Sequence, residues 1–148
     1  MFHTLTIHEA HEGLKNRKFS SVELTKACLS RIKAVDSKLN AFTLVTEENA
    51  LKDAAAADQQ GTFSSSLTGV PVALKDVFCT DGIRTTASSN ILKNFVPPYD
   101  ATSVSRLKKA GMVLLGKTNT DEFTCGASTE TSCFGVTKNP WDQKRVSG

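Results

Sequence analysis

The stretch Gly69-Val70-Pro71-Val72-Ala73-Leu74-Lys75-Asp76 constrains the fold of this chain most. Its apolar run is too short for a typical helix and is bracketed by glycine, proline and charge, so Val70–Leu74 reads as a buried strand. Lys75 then stands at the strand's exit. Side chains alternate along a strand, so Lys75 faces away from Leu74 and Asp76 and needs a partner other than the neighbouring carboxylate. Such a lysine has two uses. It can reach into water, as most strand-end lysines do, or it can be desolvated until the neutral amine is favoured and serves as a base. Spacing alone favours the first.

The elements around this run follow from periodicity and punctuation. Thr6 to about Lys15 reads as a helix with Ile7, Ala10 and Leu14 on one face. Ser20 opens a second helix, with Glu23 completing a capping box and a stripe of Leu24, Ala27, Cys28, Ile32, Val35 and Leu39. Lys26, Lys33 and Lys38 fall on its solvated face. Ala41–Val45 is a strand, and Glu47 to about Gln59 is an alanine-rich helix. A polar loop from Gly61 to Thr68 leads into the central strand. Asp81-Gly82 marks a turn, and Asp100 or Thr102 caps a helix that ends at Gly111. Met112–Leu115 is a further short strand. Strand, helix and strand in this order give an α/β domain with partly parallel strands.

Composition sets limits. The 148 residues, 39% hydrophobic and 22% charged, suffice for one domain with a real core. A net charge of +3 without a dense Lys/Arg block gives no sign of nucleic-acid binding by this chain alone. Cys28, Cys79, Cys125 and Cys133 form no C-x-x-C pair and no apolar leader is visible, which points to a reducing, cytoplasmic setting. No apolar run approaches the roughly 20 residues that cross a bilayer. The last residues, Val146-Ser147-Gly148, follow a turn-like Asn139-Pro140-Trp141-Asp142 and read as a cut end.

Two motif matches fail on physical grounds. His8-Glu9-Ala10-His11-Glu12 superficially fits H-E-x-x-H, but its histidines are three apart instead of four, so no metal site is expected. Gly111-Met112-Val113-Leu114-Leu115-Gly116-Lys117-Thr118 fits the phosphate-binding loop G-x-x-x-x-G-K-[ST] letter for letter. That loop needs a preceding strand and a flexible backbone that wraps phosphates. Here a helix precedes it, and exposing its strand-forming residues would cost about 1.5–3 kcal/mol each. In the next segment, Asn119 with Glu122 offers a capping box, and Gly126–Ser132 is a hydroxyl-rich loop that satisfies its own backbone or faces a polar pocket.

The blocks Gly69–Asp76, Pro97–Thr102, Leu115–Asn119, Asp121–Phe123, Ser128–Glu130 and Phe134 through Asp142 together resemble the amidase signature family. The resemblance implies the N-terminal part of a single amidase domain, residues 1–148, belonging to an α/β/α sandwich around a mixed sheet and stopping before a serine-rich catalytic loop. Members use a Ser, cis-Ser, Lys triad, in which one serine attacks the amide and the lysine, through the second serine, takes and returns the proton. Lys75 matches the lysine; Gly148 matches the first letter of the Gly/Ser run that carries the serines. The chain alone is then expected to be inactive.

By the same resemblance, Cys125, Gly126, Ala127 and Ser128 border the substrate pocket. Cys125, Ala127 and Cys133 depart from the usual methionine, serine and small non-thiol, which puts the pocket contacts in question and leaves Lys75 untouched. Cys125 as a nucleophile would need a base such as histidine, and the histidines all lie near the N-terminus. Pro97–Thr102 and Asp121–Phe123 lean toward the branch that serves tRNA-dependent transamidation. That branch implies glutamine as substrate, the B and C partner subunits of a heterotrimer, charged tRNA reached through a partner, ATP and Mg on a partner, and no cofactor on this chain. A stand-alone amidase of small amides is the alternative.

Overall fold

The computed structural model describes residues 2–147, so Gly148 lies outside the described residues. The elements are α1 (Ile7–Lys15), α2 (Ser21–Leu39), β1 (Phe42–Val45), α3 (Glu47–Gln60), β2 (Pro71–Lys75), α4 (Thr102–Lys109) and β3 (Val113–Thr118), with short 3-10 turns at Phe2–Thr4 and Glu122–Thr124. The strands form a three-stranded sheet in the order β1-β3-β2. β1 and β3 are antiparallel, with Phe42 opposite Thr118 and Val45 opposite Gly116. β2 and β3 run the same way: Val113 N–H donates to Val70 O and Asp76 N–H to Thr118 O, each at 2.9 Å. The sheet is therefore mixed, as an α/β chain of this order requires.

The chain divides into two compact units, one of residues 1–33, 46–73 and 105–115, and one of residues 34–45, 74–104 and 116–148. We call them the helical unit and the loop unit. In the helical unit the core is apolar. Leu29 of α2, Ala50 and Ala54 of α3, and Val113 and Leu115 of β3 form one cluster, and Ala10, Leu14, Leu24 and Val70 a second. Ala50 and Ala54 are fully buried because alanine at a four-residue spacing lets the α3 backbone approach its neighbours closely. Both first helices are capped as their sequences dictate. Thr6 and Glu9 close a capping box on α1, and Ser20 and Glu23 exchange the same bonds at the start of α2. Asp58 adds a long-range cap, accepting the Ser21 and Val22 N–H groups at 2.7 and 3.0 Å.

Several expectations are corrected. Ile7 is 54% exposed, so the buried face of α1 is carried by Ala10, Gly13 and Leu14. On α2 the stripe omits Leu29 and Thr25, both buried, because helical spacing also admits them to the inward face. β2 is not a buried strand: Ala73 and Lys75 are exposed and only Leu74 is buried, since β2 is an outer strand with β3 on one side. β3 is longer than its apolar run and continues through Gly116, Lys117 and Thr118. A Cβ on Gly116 would sit 2.2 Å from Leu44 O, so glycine is what allows β1 to pair there. The Asn119/Glu122 capping box does not form. A 3-10 turn begins at Glu122, and Phe123 inside it takes a left-handed φ of 50° that ends any helix.

Candidate active site

The alternation read from the sequence places Lys75. Leu74 and Asp76, at 5% and 1% exposure, point inward, and the lysine side chain points out. Asp76 fixes the strand exit. Its Oδ2 accepts the Thr43 and Thr86 hydroxyls at 3.0 and 2.5 Å, and Oδ1 accepts the Thr86 N–H at 3.2 Å. The Asp76 carbonyl also accepts the Ala87 N–H at 2.8 Å. A buried carboxylate with three donors is a rigid post, and Lys75 is the residue next to it in the chain.

Lys75 opens onto a cavity of about 110 Å³ that is also lined by Asn119, Thr120, Asp121, Gly126 and Thr129. All of these belong to the loop unit. Of the pocket residues implied by resemblance, Gly126 shares this cavity. Cys125 and Ala127 are exposed on the same loop, and the Ser128 hydroxyl turns to Glu130 Oε2 at 2.7 Å. The Cys125 thiol is directed at Phe123 O, 3.6 Å away. The histidines, His3, His8 and His11, are all in the helical unit. Among the described residues no group of three or more His, Cys, Asp or Glu could hold a metal ion.

Sequence reasoning missed how the Gly126–Ser132 loop is held. Asp121, 4% exposed, accepts the Ser128 and Thr129 N–H groups on Oδ2 at 3.1 and 2.9 Å and the Thr131 hydroxyl on Oδ1 at 2.9 Å. The Thr129 N–H, with the Thr131 hydroxyl and the Ser128 N–H, holds the Asp121 carboxyl below the usual carboxylate range, against the opposing effect of burial. Asn119 works in parallel. Its Oδ1 takes the Ser88 and Ser132 hydroxyls at 3.0 and 2.6 Å, and its Nδ2 donates to Gly135 O and Thr137 Oγ1 at 2.8 and 3.0 Å. Glu122 accepts the Ser89 hydroxyl at 2.6 Å. The loop hydroxyls thus satisfy the loop. The signal available in the sequence was an aspartate five residues before a run of glycine and hydroxyl residues, which is weak without the fold.

The phosphate-loop match is overturned by geometry. Gly116, Lys117 and Thr118 lie in β3, and Lys117 is fully buried. Its Nζ donates to Phe78 O, and to the Thr80 and Thr85 hydroxyls at 3.0 and 3.1 Å. An ammonium held in this way is not offered to a phosphate. Burial pushes the Cys133 thiol up from its ordinary range, and that of Cys28 likewise, so neither is poised as a thiolate.

A buried carboxylate post at a strand exit, a lysine over a small polar cavity and a pinned hydroxyl-rich loop are what this chain brings together around Lys75. The chain belongs to the amidase family, whose model, "Amidase", matches residues 23–148. It is similar to the A subunit of glutamyl-tRNA(Gln) amidotransferase from Geotalea daltonii, at 58% identity over 146 residues, covering 97% of this chain and 30% of that protein. Among solved structures it resembles the A subunit of the same amidotransferase from Thermotoga maritima, with a TM-score of 0.78 and 39% identity over 100% of this chain and 30% of that one. The native peptide amidase of Stenotrophomonas maltophilia gives a TM-score of 0.85 at 32% identity, over 99% and 31% of the two chains. The chain thus spans about 30% of the length of these relatives.

Among the described residues no helix is long and apolar enough to cross a membrane.

Proposed function

We propose that this chain supplies the lysine base and one wall of the amide pocket to the glutamine-hydrolysing component of a tRNA-dependent amidotransferase. The observation that carries the reading is its likeness to the Geotalea daltonii protein, which extends over nearly the whole of this chain. In the full-length protein one serine attacks the glutamine carboxamide. Lys75, through a second serine, accepts the hydroxyl proton and returns it to the departing ammonia. Only the neutral amine has the lone pair this needs. The released ammonia passes to a partner subunit, and the B and C partners complete a heterotrimer. ATP and Mg held on a partner subunit would supply the activation of the glutamate of Glu-tRNA(Gln), and the charged tRNA is met mainly through that partner. The setting is cytoplasmic, and this chain carries no cofactor of its own. The lower identity to the peptide amidase gives a stand-alone amidase less support.

The test is ammonia release from glutamine by the full-length protein. Lys75→Ala is expected to abolish it while circular dichroism and thermal unfolding stay as in the wild type. Retained activity would remove Lys75 from the mechanism.

A further inference from the structure

We propose that Asp121 is a positioning residue whose carboxylate holds the 126–131 loop as the wall of the Lys75 cavity, and thereby sets how tightly the amide substrate is bound; this rests on the reading of Lys75 given above. Three features assign the role. First, the carboxylate oxygens are engaged by the loop itself, through the Ser128 and Thr129 amides and the Thr131 hydroxyl. A carboxylate so occupied orients its donors and is not set up as a proton acceptor for a substrate. Second, Gly126 leaves room for it. A Cβ there would lie 2.4 Å from Asp121 Cγ and 2.6 Å from Oδ1, so the loop backbone and the carboxylate can meet at the cavity only with glycine at 126.

Third, the segment does not sit in relaxed backbone. Phe123, Thr124 and Thr129 take φ of 50°, 61° and 61°, a region that side chains with a Cβ enter only when their surroundings enforce it. Thr129 is pinned further, accepting the Thr137 N–H at 2.7 Å and donating to Ser128 O at 2.6 Å. Backbone held against its preference beside a cavity points to a shape that matters, and Asp121 is the group on which its hydrogen bonds converge. Asp121, Gly126 and Thr129 all line the cavity with Lys75.

The experiment uses the full-length protein and pairs hydrogen exchange at single amides with glutamine kinetics. Asp121→Asn keeps the shape but halves the acceptor capacity. It is expected to speed exchange at the Ser128 and Thr129 amides, and to raise the glutamine KM about tenfold while kcat falls less than about threefold. Thr131→Val removes one donor, is gentler on folding, and is expected to move both readouts the same way by about half as much on a logarithmic scale. Should Asp121→Asn fail to fold, the Thr131→Val result decides by the same criteria. A merely structural role would lower the melting temperature without separating KM from kcat. Unchanged exchange at Ser128 and Thr129, or unchanged KM despite loosened amides, overturns the assignment of Asp121. If Lys75→Ala is inactive in the same assay, that failure leaves the lysine reading standing. Full activity in Lys75→Ala instead overturns the lysine reading, and the pocket with it.

Discussion

The two units of this chain solve the problem of an interior in opposite ways. In the helical unit the buried side chains are almost all apolar: Leu14, Leu24, Leu29, Ala50, Ala54, Val70, Val113 and Leu115 are buried, with Ser21, Thr25 and Thr68 the polar residues among them. In the loop unit the balance is reversed. Leu74, Ala87 and Val104 are buried beside Asp76, Thr80, Thr85, Thr86, Ser88, Ser89, Lys117, Thr120, Asp121, Thr129 and Ser132. An apolar core gains stability from area removed from water and tolerates shape changes gradually. A polar one gains little net from each bond and loses much when a partner is left unmatched. What it provides in exchange is geometry: hydroxyls, amides and carboxylates set in fixed directions. The predicted site lies in the unit built this way.

The comparison can be broken most severely at Gly116, where the Cβ of Gly116→Ala would press to within 2.2 Å of Leu44 O. Backbone against backbone cannot yield, so β1 must leave β3. A loss of more than about 3 kcal/mol is expected, seen as a fall in Tm of about 6 °C or more. An unchanged Tm would show that the β1–β3 register is wrong.

Next come paired core substitutions, one in each unit. Leu14→Ala, at 1% exposure in the helical unit, should cost about 3 kcal/mol by ordinary cavity formation. Lys117→Met in the loop unit adds apolar character, which an ordinary core would welcome. Here it strips a donor from Phe78 O and from the Thr80 and Thr85 hydroxyls, and a loss of about 2 kcal/mol is expected in urea unfolding. A more stable Lys117→Met protein would mean that the interior of the loop unit is apolar in effect.

The smallest effect is set by acid. The folded-state pKa of Asp121 is depressed, so its contribution is fully present above the unfolded carboxyl value of about 3.9 and is lost as pH falls through the lower folded value. Protection of the Ser128 and Thr129 amides should therefore fade below about pH 3.9, while α3 amides near Ala54 keep theirs. Uniform loss across both units would erase the distinction.

Legibility in the sequence follows the same division. The helices of the helical unit could be read because burial there repeats with the helical period and the caps are local: Thr6 with Glu9, Ser20 with Glu23. The alternation about Lys75 could be read for the same reason, from Leu74 and Asp76 on either side. The rest of the loop unit could not, because its bonds join residues far apart in the chain with no period to betray them. Thr137 donates to Asn40 O, Thr86 to Asp76, and Ser88 to Asn119. Asn119 and Glu122 have the letters of a capping box, yet their side chains are claimed by Ser132 and Ser89. Lys117 has the letters of a phosphate loop and is a buried strand residue. In both cases a local pattern was overridden by partners that only the fold brings near.

The most direct test of the central claim separates charge from proton transfer at Lys75. Arginine in its place keeps a cation at the strand exit but cannot give up its proton at working pH. In the full-length protein, Lys75→Arg is predicted to lower kcat for ammonia release from glutamine by a factor of about a hundred or more, with Tm unchanged. Activity within a few-fold of the wild type would contradict the account, because it would mean that Lys75 serves as a charge and not as a base.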